Sequence, residues 1–304
     1  RLTTVPAGGL VLTAAIDTQA YRLEFQVVAW GEGMESWVID YQVIHGSPAE
    51  EETWKRADEL LRNRYRHASG AMLNISAAFV DSGGSNTQDV YNFTQTRRRR
   101  GIYAIKGDAN KKNRPIIGNK PTNVDVNHKG KLERKGAQLW IIGTDTAKDY
   151  LQTRWSKAAG PGAMHFSQDL PESWFKGLTA EYRTTGYKRG RKVSWWEQKK
   201  GEPNEPLDLT VYNLAAAFYL GLHKKSEHAW QLLRDRLVPV VGDLFAEAAP
   251  IVEVARQAPM LPVPEDAAAE PAEVSSGDHA AAVLDRPAVA NGRISLGGLR
   301  RGGG

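Results

Sequence analysis

The sequence predicts an α/β fold: a mixed sheet with a three-strand antiparallel meander followed by parallel strands, flanking helices, and a largely disordered C-terminal tail. Three observations carry this reading. Leu10 to Asp17 is a near-continuous apolar run, as in a strand buried on both faces. Two alternating segments follow it through the short connections Thr18 to Ala20 and Gly31 to Gly33, which only antiparallel neighbours allow. Helical and strand periods then alternate to about residue 224, whereas no aromatic residue follows Phe245.

The elements follow in order. YRLEFQVVAWG sets Leu23, Phe25 and Val27 on one face and Arg22, Glu24 and Gln26 on the other. MESWVIDYQVIHG alternates through Trp37, Ile39, Tyr41 and Val43, which leaves Asp40 on a solvated face. Ser47 as N-cap, Pro48 at N1 and Glu50 at N3 read as a capping box. They open a helix with Trp54, Ala57, Leu61 and Tyr65 on one face. AAFVD, Ala77 to Asp81, is a strand closed by Ser82, Gly83 and Gly84. A helix through Val90 and Phe93 leads to the strand Gly101 to Gly107. The order is β-β-β-α-β-α-β, then a basic insertion and further helices.

Such a chain divides into a folded domain over 1–224, short amphipathic helices over 225–249 broken near Pro239 and Gly242, and a tail over 250–304. In the tail Ala, Pro and Gly supply 24 of 55 residues. That composition buries too little apolar area to offset its ordering entropy, so disorder is expected there.

Composition excludes several chemistries. With no cysteine, disulfides, thiolate-held zinc, iron–sulfur clusters and cysteine nucleophiles are all ruled out. The seven histidines show no HxH or HExxH spacing, and no G-x-x-x-x-G-K-[ST] is present. No apolar stretch approaches the roughly 20 residues of a membrane span, and the first residues carry no export signal.

The net charge of +5 hides an asymmetry. Residues 97–135 carry 13 Lys and Arg against 3 Asp and Glu, and residues 183–200 carry 7 against 1. Two cationic segments on an otherwise balanced chain point to a polyanion, because each neutralised phosphate releases a counterion. Tyr182 beside the second, and Gly186, Tyr187, Gly190, Trp195 and Trp196 within it, suit a groove-lining hairpin. The candidate nucleic-acid contacts are Arg97, Arg98, Arg99, Arg100, Lys111, Lys112, Lys188, Arg189, Arg191 and Lys192; solvated basic loops are the plainer alternative.

Three aspartates stand out by position. Asp17 ends the buried first strand, Asp81 ends the fourth, and Asp208 begins the long apolar helix EPLDLTVYNLAAAFYLGL. The predicted order sets the first and fourth strands side by side, as in ribonuclease-H-like sheets, so their terminal carboxylates meet and a crossing helix adds a third. Converging carboxylates raise one another's pKa unless cations neutralise them. That cost suits a site for hard, oxygen-preferring Mg2+ or Mn2+, two of which can promote phosphodiester hydrolysis. The plainer readings are a turn-initiating Asp17, an Asx-turn at Asp81 and a first-turn helix charge at Asp208. Lys106, at a strand end, can approach a phosphate; an ordinary basic strand end is the plainer reading.

Six ordered segments carry a resemblance over residues 5–222. They are LTAAIDTQAYRLEFQVVAWGEGMESWVIDYQVIHG, AAFVDSGG, IYAIKG, WIIGTDTAKDYLQTRW, MHFSQDL and NEPLDLTVYNLAAA. Together they resemble the C-terminal nuclease domain of lambda-type phage terminase large subunits. The resemblance implies a ribonuclease-H-like nuclease that cuts concatemeric viral double-stranded DNA as packaging begins and ends, working in the host cytoplasm. It implies metal-binding acids at Asp17, Asp81 and Asp208 and a functional lysine at Lys106. Asn204 and Glu205 match the family's N-E pair, with no role assigned. The terminase small subunit and portal protein are the implied partners, with the tail as a candidate portal-docking segment. The family's packaging ATPase domain is not in this chain. Other ribonuclease-H-like enzymes, such as transposases or resolvases, would lack GTDTAKD and NEPLDLTVYNLAAA. A non-enzymatic nucleic-acid scaffold would neither bind metal near Asp17 nor cleave.

Overall fold

The computed structural model describes residues 1–108 and 114–237. Lys111, Lys112, the 238–249 part of the amphipathic segment and the 250–304 tail lie outside the described residues. Among those described, no helix is long and apolar enough to cross a membrane.

A two-residue strand β1 (Thr4–Val5) precedes the antiparallel meander β2 (Val11–Thr18), β3 (Arg22–Trp30) and β4 (Ser36–His45). Helix α1 (Glu51–Leu60) and strand β5 (Arg64–His67) then carry the chain to β6 (Met72–Asp81), which runs parallel to β2 on its free side. Helix α2 (Thr87–Gln95) leads to β7 (Ile102–Gly107), parallel to β6. The hairpin β8 (Thr122–His128) and β9 (Lys131–Ile142) adds β9 parallel to β7. Helix α3 (Thr144–Gln152), edge strand β10 (Met164–Phe166) and helix α4 (Glu172–Leu178) follow. A separate two-stranded hairpin comprises β11 (Glu181–Lys188) and β12 (Arg191–Gln198). Helices α5 (Glu205–Tyr219) and α6 (Glu227–Asp235) complete the described chain. The sheet reads β10-β4-β3-β2-β6-β7-β9-β8.

Strand β2 is central, and both its faces are covered. Leu12, Ala14 and Ile16 meet α1 and α2 through Trp54, Ala57, Val90 and Phe93. Ala15 on the opposite face belongs with Phe79, Ile105 and helices α3 to α6, including Trp174 and Trp230. This double coverage explains the unbroken apolar run, since no face remains for polar residues.

Helix α5 is buried on nearly all sides, so its few polar side chains need internal partners. They have them. Thr13 Oγ1 donates to Asn213 Oδ1 at 2.7 Å and accepts from Trp30 Nε1 at 2.8 Å. Asn213 Nδ2 donates to the Leu209 carbonyl at 3.0 Å and the Gln26 carbonyl at 3.3 Å. Gln26 in turn accepts from Trp174 Nε1 at 3.1 Å and donates to Thr210 Oγ1 at 3.3 Å. These directional contacts fix both the rotation and the axial position of α5 over β2 and β3, which apolar packing alone leaves adjustable.

Three sequence expectations change. Ser47 does not cap α1: its Oγ accepts from Ala49 N at 3.2 Å in a preceding turn, and the helix starts at Glu51. Pro48 is held in that turn because its carbonyl accepts from Trp54 Nε1 at 2.6 Å. Tyr65 lies on β5, beyond the end of α1. Asp40 is buried rather than solvated, accepting from Tyr65 Oη at 2.8 Å. The cause is a bulge in β4: Val27 pairs with Asp40 but Val28 with Val38, so Ile39 is the extra residue. One inserted residue switches the alternation, turning Asp40 inward with Val27 and sending Tyr41 to the α5 side with Gln26.

Asn213→Ala should leave Thr13 and the Gln26 carbonyl short of partners and lower unfolding free energy by about 1–3 kcal/mol. Urea unfolding of the variant measures this.

Candidate active site

The parallel register pairs Ile16 with Val80, so Asp17 and Asp81 are the next residues at the carboxyl ends of neighbouring strands. Alternation puts both side chains on the α5 side, with Ala15 and Phe79. Asp17 Oδ2 accepts from Gln19 Nε2. Asp81 Oδ1 accepts from Gly83 N at 3.1 Å, forming the Asx-turn. A Cβ at position 83 would stand 3.0 Å from Asp81 Oδ2, so glycine is what lets the turn close on the carboxylate. The turn and a functional role are compatible, because the turn fixes Asp81 where β6 ends.

Helix α5 carries Asp208 to the same place. Tyr212, one turn later, hydrogen-bonds Asp81 from its buried position. Burial is the main cause that raises all three carboxyls. It holds Asp17 well above the usual carboxylate range, with Asp208 as the largest charged contributor. Burial also raises Asp81, against the Gly83 amide, Tyr212 and Lys106. Asp208 is pushed up to about 7 by burial, with Lys148 opposing and Glu181, Asp81 and Glu205 adding. Among the described residues, no three His, Cys, Asp or Glu side chains are gathered closely enough to hold a metal ion as they stand.

A ring of partners surrounds the three aspartates. Arg22 pairs with Glu24 at 2.8 Å and Glu205 at 2.9 Å, and Tyr41 Oη donates to Glu24 at 2.8 Å. Lys148, on α3, pairs with Glu181 at 2.6 Å and Asp208 at 3.7 Å. Asn204 Nδ2 donates to Glu181 at 2.8 Å and Asp208 at 3.1 Å, so this side chain leaves the helix end uncapped. Sequence reading assigns no role to Glu24, Arg22, Lys148 or Glu181. The i, i+2 spacing of Arg22 and Glu24 and the i, i+3 spacing of Glu205 and Asp208 are the signals that could have found part of this ring.

The basic residues separate by position. Lys106 is exposed and lies, by alternation, on the Ala104 side of the sheet, away from the face of Asp17 and Asp81. Its charge still acts on Asp81. Arg97 and Arg100 grip Asp58 at 2.8 and 2.5 Å, and Arg97 lies 4.1 Å over the Phe93 ring. They are fold contacts; Arg98 and Arg99 are exposed. All four precede β7, whereas Asp81 lies opposite Ile105, three residues or about 10 Å beyond the start of β7 at ~3.3 Å per residue. The second cationic segment forms the expected hairpin, with Arg189 at its turn, Lys188 ending β11, and Arg191 and Lys192 opening β12. Its root is at the acids: Glu181 contacts Lys148, Arg183 pairs with Asp149, and Trp196 Nε1 donates to Asp149 at 2.9 Å.

Acids at the carboxyl ends of parallel strands, with a cationic hairpin rooted beside them, give this α/β chain a candidate site at the sheet's carboxyl edge. The chain belongs to the terminase large subunit gpA endonuclease-domain family, whose model matches residues 1–230. It is 36% identical over 222 residues to the terminase large subunit of Escherichia phage lambda, covering 70% of this chain and 33% of that protein. It is 32% identical over 240 residues to the terminase large subunit of Enterobacteria phage P21, covering 75% and 34%. The chain thus spans about a third of the length of these relatives.

The raised Asp208 carboxyl gives a pH dependence of definite sign. Below about 4, the ordinary aspartate value, both folded and unfolded chains hold the proton and its stabilising contribution is fully present. As pH rises through about 7, the unfolded chain gives up this proton more readily than the folded one, so folding stability falls. Metal-free protein should therefore unfold at lower temperature at pH 8 than at pH 5. Asp208→Asn should flatten this dependence and raise the midpoint at pH 8, as thermal scans at the two pH values would record.

Proposed function

We propose that this chain is a metal-dependent DNA endonuclease domain that cuts concatemeric viral DNA during genome packaging. The observation that carries the proposal is the approach of Asp17, Asp81 and Asp208 within an endonuclease-domain family. The antiparallel meander, the parallel strands β6, β7 and β9, and α5 crossing behind β2 support a ribonuclease-H-like arrangement. Family membership supports the terminase small subunit and portal protein as partners and the host cytoplasm as the place of action.

The donor set fits hard cations: three buried carboxylates offer only oxygen ligands and raise one another's pKa. Asp17, Asp81 and Asp208 would hold two Mg2+ or Mn2+ ions. Bound there, these would supply Lewis-acid activation of a water nucleophile and charge neutralisation on the phosphodiester. The chain's own groups orient the ligands: Gln19 holds Asp17, the Gly83 amide and Tyr212 hold Asp81, and Asn204 holds Asp208. Lys106, exposed at the rim, offers an ammonium to a neighbouring phosphate. Arg189, Arg191 and Lys192, with Lys188, would track the double-stranded DNA backbone from the hairpin, while Arg98 and Arg99 would give a more distant contact.

Incubation of supercoiled plasmid with Mn2+ should produce nicked and linear forms, and EDTA should abolish them. Asp17→Asn, Asp81→Asn and Asp208→Asn should each lower the rate at least 10–100-fold, roughly the loss seen when only a metal site's outer partners are disturbed. Near wild-type cleavage in any of the three, or cleavage in EDTA, would contradict the proposal.

Replacing Arg189, Arg191 and Lys192 by Ala should weaken DNA binding about equally across sequences. It should make the slope of log K against log[salt] shallower by about 0.9 per lost phosphate contact. Arg98→Ala with Arg99→Ala should change the slope less, because these residues sit at the other end of the strands. Fluorescence anisotropy over a salt series measures both.

A further inference from the structure

The buried Lys148 is the feature that the proposed chemistry leaves without a role. Its side chain is 9% exposed and faces Glu181, whose side chain is 7% exposed. The ammonium donates to both Glu181 oxygens, at 2.6 and 2.7 Å, and stands 3.7 Å from Asp208 Oδ1. Asn204 spans the same two carboxylates from the other side, at 2.8 Å to Glu181 and 3.1 Å to Asp208. Asp208 is thus tethered through both of its oxygens, one to Lys148 and one to Asn204, and both tethers are anchored on Glu181. Glu181 is the first residue of β11, so the anchor is also the root of the cationic hairpin.

We propose that Lys148, Glu181 and Asn204 form a positioning clamp that sets the Asp208 carboxylate toward Asp17 and Asp81 and fastens the hairpin to the site. The inference rests on the metal-site reading given above. Lys148 is a positioning residue, acting through Glu181 and Asp208. The physical argument is orientation. A carboxylate on a first-turn helical residue has freely rotating torsions, and a ligand held in one rotamer loses less freedom when a cation arrives. A lysine with only a bulk electrostatic role would not need burial, a bidentate carboxylate and a matching amide on the far oxygen.

Lys148→Met alone strands Glu181 as a buried unpaired charge and can fail to fold. The paired replacement Lys148→Met with Glu181→Gln removes one positive and one negative charge, so the local charge sum is unchanged. The amide oxygen introduced by the second change can still accept from Asn204. Asn204→Ser gives a milder second variant: serine still suits the helix N-cap but is too short to span the two carboxylates. The measurement is the unfolding midpoint of the full chain against Mn2+ concentration, with plasmid cleavage kinetics alongside.

The wild-type midpoint should rise with Mn2+. The paired variant should need about tenfold more Mn2+ for the same rise, and Asn204→Ser severalfold more. Cleavage by the paired variant should lose about tenfold in kcat with little change in KM. Adding the pair to Asp208→Asn should change the Mn2+ response no further. A purely structural role would lower the metal-free midpoint and leave the Mn2+ response at the wild-type concentration; that result would overturn the clamp alone. A wild-type midpoint indifferent to Mn2+ would overturn the metal-site reading, and the clamp with it.

Discussion

The structure depends on how α5 is fastened to the sheet. A helix buried on nearly every side has many apolar ways to pack and little to choose among them. The hydrogen bonds linking Asn213, Thr13, Trp30, Gln26, Thr210 and Trp174 remove that freedom, because each buried polar atom is costly unless it meets its partner. Once Asn213 is over Thr13, Asp208, five residues earlier on the same helix, lies near the strand ends of Asp17 and Asp81, and Tyr212 reaches Asp81. A polar network inside the core therefore sets the geometry of a charged cluster at its edge.

The sheet also sorts charge by direction. Parallel pairing of β2 with β6 brings two aspartates to one edge, and the same polarity sends Arg97 to Arg100 to the other. There, Asp58 draws in Arg62, Arg97 and Arg100, and against the opposing effect of burial these guanidiniums hold its carboxyl down at about 2. Cations near the acids come instead from Arg22, Lys148, Lys106 and the hairpin. A charge count along the sequence treats both basic segments alike. Direction in the sheet separates a structural ion cluster from a surface available to a polyanion.

Much of this was legible in the residues. The unbroken apolar run of β2, the alternation of β3 and the strand-end positions of Asp17 and Asp81 follow from periodicity, and the structure has those elements. The hairpin over 181–198 was readable from its aromatic and glycine residues; Trp195 indeed covers Gly186, where a Cβ would stand 2.8 Å from the indole. What was not legible depended on contacts distant in sequence. The bulge at Ile39 reverses the faces of β4 and buries Asp40, yet the local alternation gives no sign of it. Lys148 and Glu181 are separated by 33 residues and look like ordinary surface charges until α3 and β11 are placed together. Asn204 matches the N-E pair of the resemblance without a role, and only the fold shows that its amide serves Glu181 and Asp208.

The proposed function requires that the docking of α5 bring three separate aspartates near enough to share cations. Paramagnetic broadening of backbone amide resonances by substoichiometric Mn2+ tests it without relying on catalysis. The account predicts that amides around Asp17, Gly83 and Asp208 broaden first and together, that those of β8 and of Arg98 and Arg99 stay sharp, and that Asn213→Ala disperses the effect. Broadening confined to a single aspartate, or centred elsewhere on the chain, would contradict it.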